Sequence, residues 1–93
     1  MTEIPSDLTP VLDQVDRALD DSLSRLFGLL RIPSVSTRPE HAGDCRAEAQ
    51  WLCQELEGIG VSARLCETPG HPVVVAHDRT PPQGPHVLFY GHY

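Results

Sequence analysis

Apolar residues recur at steps of three and four through Leu12, Val15, Leu19, Leu23, Leu26 and Leu30, while Asp13, Asp16, Asp20, Asp21 and Arg25 fall mostly on the other side. That spacing predicts one amphipathic helix from about Pro10 to Leu30, with a single buried stripe. Thr9-Pro10 marks its start, because a threonine hydroxyl can accept from an orphan helix N–H and proline has no N–H to leave orphaned. Pro33 disfavours helix at Ile32, so RIPSVST reads as a connecting loop. A second period of three and four runs through Cys45, Ala49, Leu52, Leu56 and Ile59, with Trp51 and Cys53 widening the face. Thr37 with Glu40 fits a capping box and Asp44 is a second possible N-cap, which places the helix start between Arg38 and Cys45. Gly58-Ile59-Gly60 supplies the stop.

Beyond that stop the period changes to two. Val61, Ala63 and Leu65 alternate with Ser62, Arg64 and Cys66, the pattern of a strand with one covered face. Thr68-Pro69-Gly70 is turn chemistry, and the β-branched run from Pro72 to Ala76 predicts a second strand joined to the first as an antiparallel hairpin. Residues 78–85, rich in proline and glycine, form a surface loop. Val87 to Tyr90 is then an unbroken apolar run of the kind found in a strand covered on both faces, in the middle of a sheet. The fold class expected is α/β: two N-terminal helices followed by three strands of a mixed sheet. Residues 1–9 are expected to be a flexible lead.

Composition narrows the partners. The chain has 93 residues, 40% hydrophobic and 22% charged, which suits one small globular domain with a thin core. Seven basic against thirteen acidic residues give a net charge of −6, which repels nucleic acid and anionic membrane and leaves small molecules or proteins as partners. The opening MTEIPSDLTP has neither the basic nor the apolar region of a signal peptide, and no run approaches the roughly 18 apolar residues of a membrane span. Three cysteines, Cys45, Cys53 and Cys66, without C-x-x-C spacing argue against a disulfide framework or zinc ribbon. A cytoplasmic protein with thiols as small core residues is the expectation.

The candidate chemistry gathers at the end of the last apolar run. In an α/β sheet ligands collect at the carboxyl ends of strands, and Gly91-His92 stands there: the glycine allows close approach, and the imidazole can take a metal or a proton. His41, His71, His77 and His86 show no zinc-site spacing and read as surface or structural residues. His77-Asp78 is not a relay, since neighbours on a strand end point to opposite faces. Ser34 and Ser36 lack the G-x-S-x-G elbow of a nucleophile. A chain that stops directly after so apolar a run also reads as one cut within a larger fold.

LFGLLRIPSVS (residues 26–36), PEHAGDCRAEAQWL (39–52) and HVLFYGHY (86–93), in this order and spacing, closely resemble the beginning of a family of dinuclear-zinc metallohydrolases. That family includes carnosinase-like dipeptidases, aminoacylase, acetylornithine deacetylase and succinyl-diaminopimelate desuccinylase. The resemblance covers the chain from about Leu12 onward. It implies that His92 is the histidine of a Gly-His-x-Asp motif that binds one zinc, that Tyr93 is the intervening residue, and that the bridging aspartate falls one position past the end of this chain. It further implies a parent enzyme with two zinc ions that hydrolyses amide bonds of dipeptides or N-acyl amino acids, with a metal-bridging water as attacking group. The general base and remaining ligands would lie downstream, so this chain alone would be inactive and bind metal weakly. The resemblance leaves a homodimeric parent open. In the family's sheet a later strand lies between the second and the third, which would leave Val87 to Tyr90 without a partner here.

Two other readings stay open. One is a small non-catalytic α/β interaction module without metal, with His92 structural. The other is a small zinc-binding protein that uses His92 with Cys66 or His71.

Overall fold

The computed structural model describes residues 6–78, 80 and 83–93. The chain forms two compact units, Met1–Arg31 and Ile32–Tyr93, each taken by itself below. Residues 1–5 of the expected flexible lead lie outside the described residues, and Ser6–Leu8 form a single 3-10 turn.

In the first unit the expected single helix is two: α1 (Thr9–Arg17) and α2 (Leu19–Leu30). They meet at Ala18, whose φ of −92° and ψ of 7° leave the helical region. Its N–H still bonds the Gln14 carbonyl and its carbonyl still accepts from the Ser22 N–H, both at 2.9 Å, so this is an interruption within a helical path. Charge supports a break at this point. Arg17 stands in the last turn of α1, and Asp20 and Asp21 in the first turn of α2, each on the side its helix dipole favours. Pro10 sits in the first turn as expected, though no side chain caps the N-terminus. Neither helix holds a buried residue. The stripe of Leu8, Val11, Leu12, Val15, Leu19, Leu23, Leu26, Phe27 and Leu30 is exposed.

The second unit is built on α3 (Ala42–Gly58), packed against a two-stranded sheet of β1 (Ser62–Cys66) and β2 (Val73–His77). Its entry is a 3-10 turn, Pro39–His41, and α3 begins inside the expected window. The capping side chains are not used as caps. Asp44 instead lies in the first turn and its Oδ2 meets His41 Nδ1 at 2.8 Å. At the other end the Val61 N–H reaches the Leu56 carbonyl at 3.3 Å and the Gly60 N–H reaches Glu57 at 3.0 Å, the paired bonds of a Schellman stop. Gly60 has φ +93°, a conformation that side chains with a Cβ resist.

The hairpin forms as expected. β1 and β2 are antiparallel, from Ser62 opposite His77 to Cys66 opposite Val73. The turn between them is tied by one hydroxyl: Thr68 Oγ1 accepts from the Gly70 N–H at 3.0 Å and donates to the His71 carbonyl at 2.6 Å. Arg46 and Glu67 clamp α3 to the end of β1 with two parallel bonds of 2.7 Å.

The third expected strand is not formed. Residues 85–93 carry no regular structure, and the sheet of the described residues has two strands, not three. A strand exists only where another backbone edge accepts its N–H and C=O groups, and Val87 to Tyr90 find no such edge. These four residues are 63% to 90% exposed. The architecture is therefore a mixed helix and sheet fold, broadly α/β, with three α-helices and two strands among the described residues. No helix among the described residues is long and apolar enough to cross a membrane.

Candidate functional site

The second unit has a small centre. Among the described residues Cys45 and Ala49, at 1% and 0% exposure, are buried together with Pro72, and so is Glu48 at 4%. Cys45, Ala49, Leu52 and Leu56 stand on the face of α3 that the period of three and four marks out. Glu48 is three residues from Cys45 and shares that face, so the same rule applied at the i+3 position would have found it. Its Oε2 has no hydrogen-bond partner among the described residues, and burial pushes its carboxyl pKa up from the ordinary value. Cys53 is a weak nucleophile by the same logic, since burial, reinforced by Glu57 and Cys66, raises its thiol pKa.

Residues 86–93 run beside β2 without pairing to it. Between them lie two hollows. One, of about 530 Å³, is bounded by Leu52 and Leu56 of α3, Val73 and Val74 of β2, and residues 89–93. The other, of about 680 Å³, lies further along the same strand, between Val75, Ala76 and residues 86–90. Leu56, Val74, Phe89 and Tyr90 border both, so the two make one trough along the open edge of β2.

His92 stands at the mouth of the first hollow and is exposed. Its Nε2 meets the Tyr90 hydroxyl at 2.7 Å, and the two rings sit edge to face at 5.2 Å and 80°. Tyr93 turns inward. Its hydroxyl donates to the Pro72 carbonyl, and burial, followed by nearby Cys45 and Glu48, raises the phenol pKa. His71, also on this rim, donates from Nε2 to the Ser36 carbonyl at 2.8 Å, which leaves Nδ1 as its acceptor.

Of the residues singled out from sequence, His92, His71 and Ser36 therefore border one hollow, and Cys66 does not border it. His41 is engaged with Asp44. Asp78 closes a local turn by accepting from the Thr80 N–H at 3.0 Å, which lowers its pKa. Among the described residues no three His, Cys, Asp or Glu side chains come together as a metal site. Zinc suits a donor such as His92, but a structural or catalytic zinc needs three or four protein ligands. The described residues do not make such a set. A scan against protein families finds no family whose model matches the chain, and comparisons with curated proteins and with solved structures find no match.

Proposed function

We propose that this chain is the N-terminal piece of a metal-dependent hydrolase that cleaves amide bonds of dipeptides or N-acyl amino acids. The observation that carries the reading is the apolar run Val87 to Tyr90, exposed and unpaired beside the open edge of β2 and ending in Gly91-His92. An unpaired row of backbone groups on an apolar segment is costly in a finished fold, and natural proteins cover or blunt it. The trough between this run and β2 is the space in which the resemblance puts a later strand of the parent sheet. With that strand present, the run would become the buried sheet element that its sequence resembles, and His92 would be carried on a fixed strand end.

In this reading His92 is one zinc ligand of the parent, and its present contact with Tyr90 is one that coordination through Nε2 would displace. The chain alone supplies one donor and no hydrolytic activity. The test is the residue encoded directly after Tyr93, together with zinc binding by the extended protein. An aspartate there, and stoichiometric zinc that falls when His92→Ala is introduced, are the expected results. A stop codon, or a continuation without an acidic residue next, overturns the proposal.

A further inference from the structure

We draw no further inference here: the strongest candidate, the buried Glu48 carboxyl on the inner face of α3, whose Oε2 has no hydrogen-bond partner among the described residues, carries none because nothing in the structure shows what group would meet that oxygen.

Discussion

Glu48 contributes to the pH dependence of the second unit. Its carboxyl is buried among Cys45 and Ala49 with one oxygen unpartnered, and its pKa is raised by that burial. A carboxyl whose folded pKa lies above its unfolded value contributes stability below the ordinary carboxylate range, and that contribution is lost as pH rises through the raised value. The charged form of Glu48 is therefore less favourable in the fold than the neutral one. Glu48→Gln is expected to increase stability at pH 7 by about 1 kcal/mol, the order of an uncompensated buried polar group, with the gap closing toward pH 4. Urea titrations of the helical ellipticity at the two pH values check it; equal shifts at both would contradict it. Gly60 is the second residue with a conformational role of its own. At φ +93° it completes the stop of α3, and Gly60→Ala is expected to cost about 1 kcal/mol in the same assay.

At the scale of elements, the parts legible in the sequence are those whose partners are close along the chain. The hairpin needed only the change of period after Gly60 and the Thr68-Pro69-Gly70 turn, and both strands and their antiparallel sense follow from these. The stop of α3 needed only its glycine. Caps were harder, because Thr37, Glu40 and Asp44 could each bond in more than one way, and Asp44 went to His41. The interruption at Ala18 is invisible to apolar periodicity, which runs on through Leu19. The signal for it was the sign change from Arg17 to Asp20 and Asp21. Val87 to Tyr90 failed as a strand for the opposite reason. Its composition marks a covered strand, but composition cannot supply the neighbouring edge that defines one. The same holds for the candidate site: the place of His92 at the end of an apolar run was readable, and its bond to Tyr90 and the inward turn of Tyr93 were not.

For the whole molecule, the balance between covered and uncovered apolar surface dominates. Among the described residues the fully buried apolar ones are few, while Leu88, Phe89 and Tyr90 are 89%, 90% and 83% exposed. Such a run beside an open sheet edge is a site for non-specific association. Light scattering of the 93-residue chain is expected to rise with concentration, and Leu88→Lys with Phe89→Lys to suppress that rise without loss of helical ellipticity. Unchanged scattering would place the association elsewhere. Thermal unfolding is expected to be broad, because so small a core offers little cooperativity.

The central proposal is that Val87 to Tyr90 pair only with a strand that these 93 residues do not supply, and amide hydrogen exchange tests it residue by residue. In the 93-residue chain these four amides are expected to exchange at close to the unfolded rate, while those of α3 and of the β1–β2 ladder are slowed. Protection of Val87 to Tyr90 equal to that of β2 would mean that the chain closes its own sheet, and would contradict the claim.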